Sequence, residues 1–168
     1  GASLNFGTGD FTLSIWENKI ENGKASNYLY HKRVDPESDI LLIAIQGTAG
    51  NNPMDIIVLL GGTIVFQNGR DLNDGQWHHI ALTRKGTTVT AYVDGTVDQT
   101  GTSSANVNSA GSLAIGRNLV TTSDYFNGTM DEAAVWNRSL SQTEIRNLYK
   151  RGALRLNLSV RSCDDSAC

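Results

Sequence analysis

The 168-residue chain carries 14 basic and 17 acidic residues, a net charge of −3 and a pI near 5.5, so it has no strong positive field with which to condense on nucleic acid. Its length fits one domain on a prior of roughly 100–200 residues each, and 17 glycines with only 18% charged residues favour a β-rich, turn-rich globule over a helical or disordered chain. No apolar run approaches the roughly 18 residues needed to span a membrane as a helix.

The dominant period along the chain is two, the period of a half-buried strand. Phe11, Leu13 and Ile15 alternate with Thr12, Ser14 and Trp16. The runs Ile40 to Ile45 and Ile56 to Leu60 are continuously apolar and predict strands buried on both faces or central in a sandwich. Ile80 and Leu82, then Val89, Ala91 and Val93, resume the alternation. Asp94-Gly95 between Val93 and Val97 is a two-residue hairpin signal of type I′. Many short strands separated by glycine turns predict a two-sheet sandwich or jelly roll.

From Tyr125 to Asn137 the inward positions change phase. Phe126, Gly128 and Met130 fall on even numbers, Ala133 and Val135 on odd ones, so a bulge is expected at Asp131-Glu132. Adjacent carboxylates there are candidate ligands for a cation such as Ca²⁺, which takes oxygen donors. The competing reading has them accept hydrogen bonds from bulge amides or pair with Arg117 or Arg138.

Ser141-Gln142-Thr143-Glu144 is a capping box, with Leu140 and Ile145 placed as a hydrophobic staple. It predicts a helix from about Gln142 to Arg151 on the rim of a sheet, stopped by Gly152 in a left-handed conformation. Beyond it Leu154, Leu156, Leu158 and Val160 alternate with Arg155, Asn157, Ser159 and Arg161, the pattern of an amphipathic strand. Such a strand could fold back on its own domain, add to a neighbouring copy and build a filament, or begin another domain. The expected division is therefore a domain over 1–152 and a strand-and-cysteine tail over 153–168.

Cys163 and Cys168 can close a short disulfide loop; a zinc pair is the poorer alternative because no His or further Cys lies near. Three N-x-S/T sequons, at Asn127, Asn137 and Asn157, join the cysteines in favouring an extracellular or cell-surface protein. A catalytic signature is missing: no strand bears carboxylates at alternate positions, and no Gly-x-Ser-x-Gly elbow occurs. His31 is expected on a polar face, and His78 and His79 at a strand start. For ligand recognition the richest segment runs from Arg117 to Tyr125. Tyr125 and Trp136 are candidate aromatic platforms, and Asn118 and Asp124 candidate hydrogen-bonding groups; the loop could equally be a solvated turn.

The blocks Gly9-Asp10-Phe11-Thr12-Leu13-Ser14-Ile15-Trp16, Gln76-Trp77-His78-His79-Ile80-Ala81, Ala91-Tyr92-Val93-Asp94-Gly95, Phe126-Asn127-Gly128-Thr129-Met130-Asp131-Glu132 and Trp136-Asn137-Arg138-Ser139-Leu140-Ser141 resemble, in order and spacing, the laminin-G-like, concanavalin A-like jelly-roll family. The resemblance covers about residues 3 to 150. It implies an all-β sandwich of two curved antiparallel sheets, six or seven strands each, with one short C-terminal helix. It also implies an extracellular module that binds glycan or protein, often with Ca²⁺, with Asp131 at the family's acidic position and Trp136 at a position often packed on the helix; the lack of catalytic spacing makes the expected module a non-enzymatic one. The family's earlier first strand is expected to be missing here, leaving a sheet edge uncovered.

Overall fold

The computed structural model describes residues 4–19, 26–33, 39–46, 56–67, 69–72, 74–120 and 125–156. Ten strands and one helix follow in order: β1 (Phe11–Lys19), β2 (Ser26–Arg33), β3 (Asp39–Gln46), β4 (Ile56–Leu60), β5 (Thr63–Phe66), β6 (His78–Lys85), β7 (Thr88–Val93), β8 (Thr96–Thr102), β9 (Leu113–Ile115), β10 (Gly128–Trp136) and α1 (Gln142–Leu156). They form two antiparallel sheets, β10-β1-β6-β7-β8 and β5-β4-β3-β2-β9. Five strands per sheet among the described residues is fewer than the six or seven expected.

The main core lies between the sheets. Phe11, Leu13 and Ile15 of β1, with Ile80, Leu82 and Val89, face Ile43, Ile45, Ile56 and Val58 across it. The apolar run in β3 is buried on both faces from Leu41 to Ile45, whereas β4 alternates, with Ile57 and Leu59 only half-buried. The Asp94-Gly95 turn joins β7 to β8 with φ of 52° and 74°, the left-handed pair that a type I′ hairpin requires.

The first sheet is buried on its outer face as well. Thr12 donates its hydroxyl to the Arg138 carbonyl at 2.8 Å and accepts the Leu140 amide at 2.9 Å, tying the chain before α1 across β1. Ala81, Tyr92, Leu140 and Ile145 then form a second core, flanked by Trp136 and Leu148. The helix therefore lies over the outer face of the sheet and not on its rim. Its capping box is formed: the Glu144 amide donates to the Ser141 hydroxyl at 3.3 Å, and the Ser141 amide donates to the Glu144 carboxylate at 2.8 Å.

Gly152 does not stop the helix. It is a buried helical residue, and α1 runs on through the expected 152/153 boundary to Leu156. The reason is steric: a Cβ at Gly152 would stand 2.2 Å from Trp16 Nε1, so the glycine permits close approach of helix to sheet. Leu154 and Leu156, expected in a strand, are thus helical in backbone; Leu158 and Val160 lie outside the described residues.

At one end of the sandwich Arg84 is buried without a carboxylate partner in hydrogen-bond contact. Its guanidinium donates to the carbonyls of Gly9, Ala105 and Gly7 at 2.9, 2.7 and 2.7 Å and stacks over Phe11. It clasps the segment before β1 to the one after β8.

Candidate functional site

The bulge in β10 is where the phase change placed it. Ser14 pairs with Ala134 and Trp16 with Asp131, so Glu132 and Ala133 together oppose Ile15. Glu132 takes a left-handed φ of 48°, and its amide donates to Asp131 Oδ1 at 2.7 Å. One carboxylate oxygen thus serves the bulge itself. Among the described residues no three His, Cys, Asp or Glu side chains gather into a metal-binding group. The two carboxylates can supply only part of the roughly six to eight oxygens that Ca²⁺ takes.

The other candidates separate in space. Asn118 is buried, and its Oδ1 accepts the Val120 amide at 2.7 Å, so this side chain shapes its own loop. The Leu119 amide donates to His31 Nδ1 at 2.9 Å; His31 is fully buried beneath that loop, not on the polar face expected for it. Tyr125 is 54% exposed and bridges to Arg117. Trp136 lies at the far end of β10, opposite Thr12, whereas Gly128, three residues after Tyr125, is opposite Lys19. Eight residue steps of strand separate Gly128 from Trp136, roughly 26 Å, too far for Tyr125 and Trp136 to hold one sugar ring. Asp124 lies outside the described residues, as do Asn157, Cys163 and Cys168. Of the two described sequon asparagines, Asn137 is exposed and Asn127 half-buried.

Trp136 instead lines a groove of about 260 Å³ between the end of β10 and α1. Trp136, Leu140 and Leu148 make its apolar wall, and Arg138, Glu144, Asn147 and Arg151 its polar rim. Helical spacing sets the rim: Glu144, Asn147, Leu148 and Arg151 are three or four residues apart and share one face. Glu144 is fully engaged. Arg138 Nη2 donates to one oxygen at 2.7 Å and the Ser141 amide and hydroxyl to the other; the Arg138 contact above all, with the Ser141 donors, holds its carboxyl down at about 2. Asn147 and Arg151 make no such bonds among the described residues. The result is an aromatic wall beside unoccupied donors, a chemistry suited to sugar rings.

Two other clusters bear chemistry. Ser14 Oγ lies 3.1 Å from His79 Nε2, a pairing that resembles a nucleophile and its base. Both are buried, however, with His79 against Trp16 and Tyr149, and burial holds the imidazole down at about 4. The pair lies beneath α1, with Ser14 3% and His79 1% exposed. On the opposite face, His78 spans Asp94 at 3.0 Å and Asp74 at 3.1 Å, and these contacts, Asp94 first, raise it to about 9. Beside it Glu17 is completely buried with neither carboxylate oxygen hydrogen-bonded, and burial pushes it up to about 8. Sequence reasoning passed over Glu17, although its odd position continues the apolar face of Phe11, Leu13 and Ile15. A second groove, about 590 Å³, is lined by Thr63, Thr87, Thr102 and neighbouring serines, with neither an aromatic nor a charged wall among the described residues.

A sequence model described as the concanavalin A-like lectin/glucanases superfamily matches residues 2–146. Similar solved structures include domain 4 of AbnA, an extracellular arabinanase from Geobacillus stearothermophilus in complex with arabinotriose. It shows 21% identity, a TM-score of 0.64, and coverage of 83% of this chain and 66% of that one. Trypanosoma rangeli sialidase aligns at 18% identity and a TM-score of 0.65, over 88% of this chain and 23% of the other. The botulinum neurotoxin serotype G binding domain aligns at 14% identity and a TM-score of 0.60, over 89% and 37%. The chain thus spans less than two thirds of each of these relatives.

Proposed function

The chain belongs to the concanavalin A-like lectin/glucanases superfamily, and from that premise we propose that it is a glycan-binding module acting by recognition and not by catalysis. The observation that carries this reading is the groove where Trp136 stands beside Asn147 and Arg151: a flat apolar face for sugar C–H groups next to free hydrogen-bond donors. The arabinotriose held by the AbnA domain supports the ligand class, since that domain shares the fold. The Ser14–His79 pair, shut beneath the helix, supports binding over turnover.

The setting that suits such a module is outside the cell, and the exposed sequon at Asn137 accords with it. A Ca²⁺ contribution belongs to the same proposal, with Asp131 and Glu132 supplying part of the shell and backbone carbonyls and water the rest. Glycan-array screening followed by calorimetric titration, with CaCl₂ and again with EDTA, tests both. Saturable binding to at least one oligosaccharide is expected; binding to none in either buffer overturns the reading.

A further inference from the structure

We propose that the groove between β10 and α1 selects carboxylate-bearing sugars, uronic or ulosonic acid residues, with the ring on Trp136 and the carboxylate on Arg151. The inference rests on the reading of this groove as a glycan site and names the class of glycan.

Charge is distributed unevenly over the molecule. The whole chain is net −3, yet α1 carries Arg146, Lys150, Arg151 and Arg155 against one carboxylate, Glu144. The groove thus lies on the cationic part of an acidic protein, where an anionic ligand is drawn in and a neutral one gains nothing. Among the described residues Glu144 is the sole carboxylate on the groove's rim, and Arg138 and Ser141 already occupy it. It does not compete for a second guanidinium. Arg151 is exposed, on the same helical face, and makes no ion pair or hydrogen bond among the described residues. A guanidinium presents a planar fork of donors that matches a carboxylate with two parallel bonds. Arg151 also stands five residues before the end of α1, more than one turn, so the partial negative charge of the helix terminus does not offset it. Asn147, one turn earlier on the same face, is placed for a ring hydroxyl.

Calorimetric titration with paired probes tests the assignment: trigalacturonate against galactotriose, and sialyllactose against lactose. At least one acidic probe is expected to bind ten-fold or more tightly than its neutral partner. Arg151→Gln should erase that preference, bringing the acidic probe down to the affinity that the same variant shows for its neutral partner, and Trp136→Ala should weaken both members of the pair. Equal binding of acidic and neutral probes, untouched by Arg151→Gln, overturns the carboxylate assignment and leaves the glycan reading standing. Binding of no probe, acidic or neutral, together with an empty glycan array, removes both. Polyglutamate binding as tightly as the acidic sugars overturns the assignment to sugars, since the groove would then read charge alone.

Discussion

Gly152 of the helix lies so close over the Trp16 indole that an added Cβ would be 2.2 Å from Nε1. Intrinsic propensity favours alanine over glycine inside a helix by about 1 kcal/mol, so Gly152→Ala would stabilise a freely placed helix. Here the methyl must push helix from sheet or tilt a buried indole stacked on Tyr149. Net destabilisation of about 1–3 kcal/mol is expected, by overpacking. Urea denaturation followed by tryptophan fluorescence checks it, and the sign is decisive: an alanine variant at least as stable as the parent contradicts the close packing.

Glu17 sets a second expectation, in the pH dependence. Burial raises its folded pKa to about 8, against opposing pulls from His78 and Lys19, from a reference of 4.5. Between these values the folded state holds the proton more tightly than the unfolded one, so stability falls as pH rises from about 4.5 to about 8. His78 adds in the same direction, its contribution being full below 6.5 and lost as pH climbs through about 9. Glu17→Gln removes the acid's share. It should be more stable than the parent at pH 8 by on the order of 2 kcal/mol and nearly equal at pH 5. Thermal melts of both proteins at the two pH values are the measurement, and parallel profiles would refute the assignment.

Arg84 donates to three backbone carbonyls, those of Gly7, Gly9 and Ala105, and that of Gly7 also accepts the Val107 amide. Arg84→Met keeps the bulk over Phe11 but removes the guanidinium's three hydrogen bonds to these carbonyls, at a cost of about 2–4 kcal/mol. Arg84→Lys restores the charge without the planar fork and should recover only part of it. Hydrogen exchange gives a local readout: the Val107 amide, bonded to the Gly7 carbonyl at 2.9 Å, should lose protection in the methionine variant.

The two aromatic candidates are separable by experiment. Trp136→Ala should weaken oligosaccharide binding at least ten-fold, whereas Tyr125→Ala, roughly a strand's length away, should leave it within two-fold. A titration series on the best array hit decides. A loss with Tyr125→Ala and none with Trp136→Ala would move the site to the loop after β9.

How far the sequence foretold these features depends on how local their causes are. The bulge at Asp131-Glu132, the Asp94-Gly95 hairpin and the Ser141–Glu144 box were legible because each is set by residues within a few positions of one another. Gly152 misled because its role depends on Trp16, more than a hundred residues earlier; the same glycine serves a helix end or a close approach, and only the packing partner tells which. Glu17 broke an apolar alternation without drawing notice, since a strand end reads as solvent-exposed until the opposite sheet is known. For the site, the type of residue was legible in Trp136, but its companions were not. Asn147 and Arg151 join it only because α1 crosses the outer face of the sheet, a placement that helical periodicity alone does not specify.

The kink at Glu132 bears on how the protein behaves in company. Among the described residues β10 is the outermost strand of its sheet, and such a border ordinarily invites a neighbour's backbone to zip alongside. Its left-handed residue divides that border into Gly128–Asp131 and Ala133–Trp136, two four-residue stretches whose amides and carbonyls are out of step with each other. A visiting strand that matches one stretch misses the next, and it meets a pair of negative charges at the junction. The distortion that re-aims two carboxylates thereby also discourages crowded molecules from stitching themselves together along this margin.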